Sequence, residues 1–439
     1  MTRATALAAL LLAAPLPASA ADTPDAFWPQ WRGPLLTGVA PAADPPVTWS
    51  ETENVAWKVA VPGKGSATPV VWGDLVFVLT AIPTDEAAPA VATEAQGERR
   101  GPPVLAPEFV QRFAILAYSR ADGAVAWQRV LRETLPHEGT HPTGTWASCS
   151  AVTDGERVYA FFGSHGLYAL DMAGEVLWKK DLGDMTIKLS FGEGSSPALH
   201  AGRLVINWDH EGGSFIVALD TKTGEELWRQ QRDEGTSWAT PLVVESEGRA
   251  HVISSATNKV RSYDLASGKV LWEVGGMTAN VIPTPVHADG LVFLTSGFRG
   301  NALLAVRLAD AAGDITGGPA IAWSHDRDTP YVPSPLLYGG ELYVLKSNDG
   351  ILSAFDAATG QHHYGTRLEG VPNVYASPIG AAGRVYVAGR EGAVAVVKAG
   401  PEFELLAVNQ LDDGFDASPV AVGGELYLRG QHLYRISAD

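Results

Sequence analysis

Short apolar runs separated by turn residues fill the chain from about residue 55 onward. Runs of this length, rich in Val, Leu, Ile, Tyr and Phe and bounded by Gly and Asp, read as β-strands. One order of runs recurs. A small residue, usually Pro, precedes an apolar run, a Gly turn and a second run; a third run ends near Asp, and after a Gly turn a fourth run ends in Trp. A full copy reads Ser196-Pro197, Gly202, residues 204–208, residues 215–220, Thr223-Gly224 and Leu227-Trp228. The first-run anchors are Pro69, Ala151, Pro197, Pro241, Pro285, Pro335, Pro378 and Pro419, and all but the first gap are 41–50 residues long. A fixed period of this size marks a repeat architecture.

The closing aromatic falls at Trp127, Trp178, Trp228, Trp272, Trp323 and Tyr364, with Leu406 taking the slot in the seventh copy. The eighth copy stops after Leu433-Tyr434-Arg435-Ile436 without a fourth run. An orphan run, Val55-Ala56-Trp57-Lys58-Val59, stands before the first copy. The count predicts an all-β, eight-bladed β-propeller in which that orphan is the outer strand of the last blade. Such closure removes the open sheet edges that invite aggregation.

Composition sharpens this picture. Gly 47 and Pro 29 in 439 residues supply many turns, and 46% hydrophobic residues supply a core. The formal charge of −17 argues against nucleic acid or an anionic bilayer as a partner. A lone Cys149 rules out an internal disulfide and a zinc ribbon. Residues 1–20 read as a cleavable export signal: Arg3, an apolar stretch over residues 4–16, and Ala18-Ser19-Ala20 before the cut. No Cys follows to carry a lipid, so a periplasmic or secreted protein with no membrane anchor is expected. Residues 21–46 form an N-terminal arm and residues 47–439 the propeller, with residues 82–112 as a mobile insertion loop outside the core.

The repeat tail Ala218-Leu219-Asp220-Thr221-Lys222-Thr223-Gly224-Glu225-Glu226-Leu227-Trp228 resembles the tryptophan-docking repeat of pyrroloquinoline quinone (PQQ)-type propellers. The Asp side chain accepts backbone N–H groups in the turn, Gly supplies a positive φ, and Trp packs on the next blade. Three stretches resemble the secreted bacterial PQQ-binding-like propeller repeat proteins. They are Trp28-Pro29-Gln30-Trp31-Arg32-Gly33-Pro34, Phe191-Gly192-Glu193-Gly194-Ser195-Ser196-Pro197 and Pro330-Tyr331-Val332-Pro333-Ser334-Pro335. The resemblance implies the fold over about residues 27–436 and no particular activity. Quinone-dependent dehydrogenases of this class hold PQQ over a vicinal disulfide, which one cysteine cannot form, so no cofactor is expected. The related outer-membrane-protein assembly propeller is a lipoprotein, and the anchoring Cys is absent here.

In a four-stranded blade, the second-to-third turns and the blade-to-blade loops share one face. Here that face carries the long and chemically varied segments, where binding groups usually sit. Its turns offer His165, Asp209, His210, Glu211, Asn258 and Arg299, then Asn348, Arg390 and Arg429. The blade entries add Trp146, Trp238, Asn280, Tyr331, Tyr375 and Asp416. Together they suggest a funnel for a small-molecule ligand or a protein partner.

Asp209-His210-Glu211 resembles a hard-cation turn, with His137, Glu138 and His141 nearby in the chain. Neighbouring strand side chains point oppositely, so a polar turn with one internally bonded His is the other reading, and no metal is predicted. Arg299 and Arg390 either clamp an anion or pair with Asp416, Asp209 or Glu391. Trp28, Trp31 and Arg32 suggest a cation–π contact that anchors the arm. The resulting expectation is a binding scaffold without assembled catalytic machinery. The alternative is a hydrolase or lyase for an acidic or carbohydrate substrate, with Arg299 and Arg390 binding charge and Asp209, His210 or Glu211 supplying acid–base or metal chemistry.

Overall fold

The structure, a computed structural model, describes residues 24–89 and 104–438. The export signal therefore lies outside the described residues. Eight antiparallel sheets follow one another around a ring, seven of four strands and one of five. Each is built as the repeat predicts. The third blade, for example, runs Ala198–His200, Arg203–Trp208, Phe215–Asp220 and Glu226–Gln231 from axis to rim. The eighth blade takes Val420–Val422, Glu425–Arg429 and His432–Ser437 from the end of the chain and Val55–Ala60 from its start. Ala60 pairs with His432 and Trp57 with Arg435, so the ring is closed by the N-terminal strand.

Each docking Trp meets a glycine of the next blade. A Cβ on Gly123, Gly174, Gly224, Gly268 or Gly360 would lie 2.6–2.9 Å from the ring of Trp57, Trp127, Trp178, Trp228 or Trp323. Glycine is thus required twice, by its positive φ and by the indole lying on it. Each indole N–H also donates to a carbonyl of that next blade, as in Trp228 to Leu265 at 2.8 Å.

Three copies depart from the rule, the sixth because its Tyr364 meets Phe403 of the next blade edge-on at 5.5 Å in place of a glycine. Trp272 is fully buried and faces no such turn, because the fifth blade replaces it with the long excursion over residues 309–319. That excursion returns as Gly313–Asp314 and adds a parallel fifth strand beside Trp272. In the seventh blade the slot belongs to Ala407 and not to Leu406. That blade's turn is one residue longer, Lys398 N–H bonding the Glu404 carbonyl where Asp220 bonds Glu225, so at the bulge common to the blades Ala407 faces Val396 and Leu406 is exposed. The vacancy is filled from the segment between the arm and the Val55–Ala60 strand. Trp49 is buried and stacks on Tyr386 at 6.5 Å, as Trp57 packs on the corresponding Tyr427 at 6.0 Å.

The insertion also departs from the mobile loop expected of residues 82–112. Its two ends continue the first blade's hairpin, Leu75–Ala87 against Phe109–Ser119, with Ile82 opposite Arg112. Its return bonds the loop into the second blade, Leu105 and Thr140 exchanging both N–H···O bonds at 2.7 and 2.9 Å. Residues 90–103 lie outside the described residues. Backbone pairing explains the ends: alternating polar and apolar residues suffice for a ladder that buries little.

The arm crosses the face of short turns. Trp28 exchanges backbone bonds with Val71 in the first blade, and the Pro29 carbonyl accepts Thr153 N–H at 2.8 Å in the second. On the far side of the axis Ala40 and Asp44 bond Gly380 and Gly423. Between them Arg32 is 1% exposed and donates to the carbonyls of Pro335 at 2.7 Å, Pro378 at 2.9 Å and Thr37 at 3.2 Å. Carbonyls, and not an aromatic face, hold this guanidinium. The expected cation–π contact is replaced, because three backbone oxygens at the axis need donors.

Candidate functional site

Every first-run anchor is preceded by Ser or Thr: Thr68, Ser150, Ser196, Thr240, Thr284, Ser334, Ser377 and Ser418. These eight form a closed belt around the axis. The backbone N–H of each donates to the hydroxyl oxygen of the next at 2.9–3.1 Å, and Ser418 returns to Thr68. The belt satisfies the amides at the crowded inner ends of the strands.

Above the belt lies a cup of about 440 Å³ opening to the loop-rich face. Five belt residues line it, and Trp31 of the arm closes it from below, its indole N–H 3.4 Å from Ser418 Oγ. Phe191, Trp238, Phe298, Tyr331 and Tyr375 give it aromatic walls. Phe298 and Tyr331 stack at 4.8 Å, and His141 meets Phe191 edge-on at 5.2 Å. Glu193 and Asp416 are the wall carboxylates.

Of the residues singled out from sequence, the cup brings together Trp238, Tyr331, Tyr375 and Asp416. Arg390 stands behind them. It grips Asp416 at 2.6 and 3.2 Å and lies 4.2 Å from the Tyr375 ring centre, which is the ion-pair reading of this arginine. Asn280 is buried in a left-handed conformation (φ 55°) beside the Tyr331 hydroxyl. Arg299 is exposed over Phe298 at 5.3 Å. Asn348 accepts the Val332 N–H at 3.1 Å, and Asn258 bonds the Asp233 carbonyl through Nδ2 at 2.6 Å.

Arg429 is not at the funnel. It is buried between the last and first blades and donates to the carbonyls of Ala67 and Leu79, both at 2.7 Å. Trp146 and His165 line a small side cavity with Glu193. His165 stacks on Phe113 at 4.0 Å, and burial, helped by the charges of His137 and Arg132, pushes its pKa down to about 3.

The Asp209-His210-Glu211 turn splits three ways. Asp209 pairs with Arg232 at 2.7 and 3.0 Å, both side chains wholly buried, and accepts Ser237 Oγ at 2.6 Å. His210 Nδ1 accepts the Thr186 N–H at 3.0 Å. Glu211 accepts Thr236 N and Oγ1 at 3.0 and 2.8 Å. No group of three His, Cys, Asp or Glu side chains fit to hold a metal occurs among the described residues. These groups instead fix a loop. Four successive amides, Met185 to Lys188, donate to Ser164 Oγ, His210 Nδ1, Glu138 Oε2 and Thr236 Oγ1 at 2.8–3.0 Å. That loop leads into Phe191 and Glu193 on the cup wall.

Sequence reasoning missed Glu193, Phe191 and the belt as parts of one site, and set His141 beside the Asp209 turn, whereas it lines the cup. The hydroxyl before every anchor was the available signal for the belt, and the Gly192-Glu193-Gly194 stretch for the wall. Glu193 accepts Ser164 N at 2.7 Å and Oγ at 2.5 Å, yet loss of hydration outweighs both bonds and pushes its pKa from 4.5 up to about 7. The folded state therefore keeps a proton that the unfolded chain loses between those values, and this contribution to stability fades as pH rises through that window. His165 acts oppositely between about 3 and 6.5, where the unfolded chain takes the proton. Glu193→Gln should therefore enlarge the gain in unfolding free energy between pH 5 and 7.5 by on the order of 1–2 kcal/mol, discounted for partial exposure to the cup. Urea titrations at the two pH values measure it; equal gains in both proteins would mean Glu193 titrates alike folded and unfolded.

The ring, the docking tryptophans and the axial cup define a PQQ-like eight-bladed propeller. A family model described as outer membrane protein assembly factor BamB matches residues 42–207 and 212–439, and the chain belongs to that family. Among solved structures it is similar to BamB from Moraxella catarrhalis, with TM-score 0.54, 14% identity, and 82% of this chain and 100% of that one covered. It is also similar to a europium-containing methanol dehydrogenase, with TM-score 0.62, 11% identity, and 92% and 89% covered. A third is the computationally designed Ika8 protein, with TM-score 0.57, 12% identity, and 86% and 98% covered. At these identities the likenesses speak to fold alone. No curated protein matches the chain significantly.

Proposed function

We propose that the protein is an exported binding scaffold that takes a small ligand in the axial cup and performs no chemistry on it. The observation that carries this reading is the cup itself: about 440 Å³, blind at Trp31, hydroxyl-floored and aromatic-walled. That volume and lining suit a small-molecule site, with rings for contact area and a few polar groups for orientation. The absence of chemistry is supported by the commitment of Asp209, His210 and Glu211 to internal bonds. Export is supported by the pattern of residues 1–20, and amino-terminal sequencing of protein recovered from cell fractions should begin at Ala21 in the exported fraction. No helix among the described residues is long and apolar enough to cross a membrane.

PQQ is a poor match for this cup. It carries three carboxylates, whereas the wall presents Glu193 and Asp416 and, among the described residues, neither Lys nor Arg. Cys149 is buried off the cup, so nothing supplies the sulfur platform.

A small-molecule panel followed by tryptophan fluorescence and thermal shift tests the reading. A binder should quench Trp31 or Trp238, and Trp238→Ala should weaken it at least ten-fold, about 1.4 kcal/mol. A panel without any binder would overturn the ligand site. Turnover of a panel compound at enzyme-like rates, lost in Glu193→Gln, would overturn the absence of chemistry.

A further inference from the structure

Building on the cup as a ligand site, we propose that its ligand is an organic cation, a quaternary ammonium or protonated amine with an apolar body. Aromatic faces attract such cations through their quadrupoles, and they do so best where water is excluded. The wall offers Trp31, Phe191, Trp238, Phe298, Tyr331 and Tyr375. One of these rings already bears a cation, since the Arg390 guanidinium lies 4.2 Å from the Tyr375 centre.

Charge points the same way. Of the two wall carboxylates, Asp416 is neutralised by its two bonds to Arg390. Glu193 is not neutralised. Its hydrogen bonds come from Ser164 N and Oγ, and the neighbouring charges that act on it are those of His137 and Glu138. It stands where the cup meets the side cavity at Trp146 and His165 and a second small cavity at Cys149 and Met185. Its reluctance to ionise, with a pKa near 7, comes from burial away from water, which no paired counter-charge offsets. A ligand ammonium would supply that charge and draw the proton off. The chain's net charge of −17 favours approach of a cation over an anion.

The test compares choline with 3,3-dimethyl-1-butanol, its neutral isostere, on the full-length protein at pH 8 by fluorescence titration. Choline should bind at least ten-fold more tightly, and Glu193→Gln should reduce that ratio to about two. Should the variant not fold, wild type at pH 5 serves instead. There Glu193 holds its proton, burial and the charge of Arg390 hold the His141 pKa down, buried Cys149 keeps its thiol proton, and His137 and Glu138 are the charged neighbours facing Glu193. The choline preference should fall at least five-fold, with the isostere unchanged. Equal binding of the two probes at pH 8 would overturn the cation and leave the cup as a ligand site. Failure of both probes, with a neutral aromatic or sugar bound instead, would do the same. Failure of every probe would remove the cup reading as well.

Discussion

Removing residues 21–60 is expected to leave a chain that aggregates instead of a slightly weaker propeller. The deletion strips the outer strand Val55–Ala60 from the eighth blade and exposes the ladder of His432–Ser437 along its length. An unpaired edge of that kind is a template for another chain. It also removes three buried plugs of the core: Trp28, Trp49 in the seventh blade's docking slot, and Trp57 against Tyr427. Trp57→Ala is the milder form of the experiment. The indole donates to the Arg120 carbonyl at 3.0 Å across the seam between last and first blades, and Gly123 is shaped to lie on it. Emptying the site should cost roughly 3–5 kcal/mol. Size-exclusion chromatography and urea unfolding decide both cases; a truncated chain that stayed monomeric and melted like wild type would show that closure contributes nothing to cooperativity.

The fold was legible because its physics repeats. A strand run, a Gly that must sit at positive φ and an indole that needs that Gly recur often enough to give the blade count and the orphan strand. What failed was local. The repeat pattern points to Leu406 for the docking slot, but the seventh blade's turn is one residue longer and moves the position to Ala407. No periodicity reveals that Trp49, from a different part of the chain, fills the gap. The arm was read through its aromatic and cationic side chains. Its actual anchor is the set of carbonyls at the axis, which a sequence does not display.

The site was legible as a face and not as a constellation. Trp238, Tyr331, Tyr375 and Asp416 reach the cup because blade entries lie nearest the axis. The second-to-third turns stand farther out, so Asp209, His210 and Glu211 found protein partners before they found a ligand. In the sequence Glu193 stands out only as part of the Gly192-Glu193-Gly194 stretch. Its chemistry comes from burial between two loops, a tertiary effect with no signature at the residue itself.

The Asp209–Arg232 pair should be the most costly polar contact to break from one side. Both side chains are wholly buried, joined by two bonds at 2.7 and 3.0 Å. Asp209 also holds Ser237, and Arg232 also donates to the Tyr263 hydroxyl at 2.7 Å. Arg232→Ala would leave a carboxylate without a counter-charge in a site that hydrates poorly, a change that typically costs 3–5 kcal/mol. Asp209→Leu with Arg232→Met removes both charges and keeps most of the volume. It should recover most of the loss, because each desolvation penalty disappears with its charge. Urea unfolding of Asp209→Leu, Arg232→Met and the double variant gives the coupling directly. A loss below about 1 kcal/mol in Arg232→Ala would mean that water reaches Asp209, and the pair would then contribute no more than an exposed salt bridge. The loop of residues 185–188 gives a second readout. It is held partly by His210, next in the chain to Asp209, so the broken pair should also loosen the cup wall at Phe191 and weaken any cup ligand. Wild-type ligand affinity in a destabilised Arg232→Ala protein would confine the pair's role to stability.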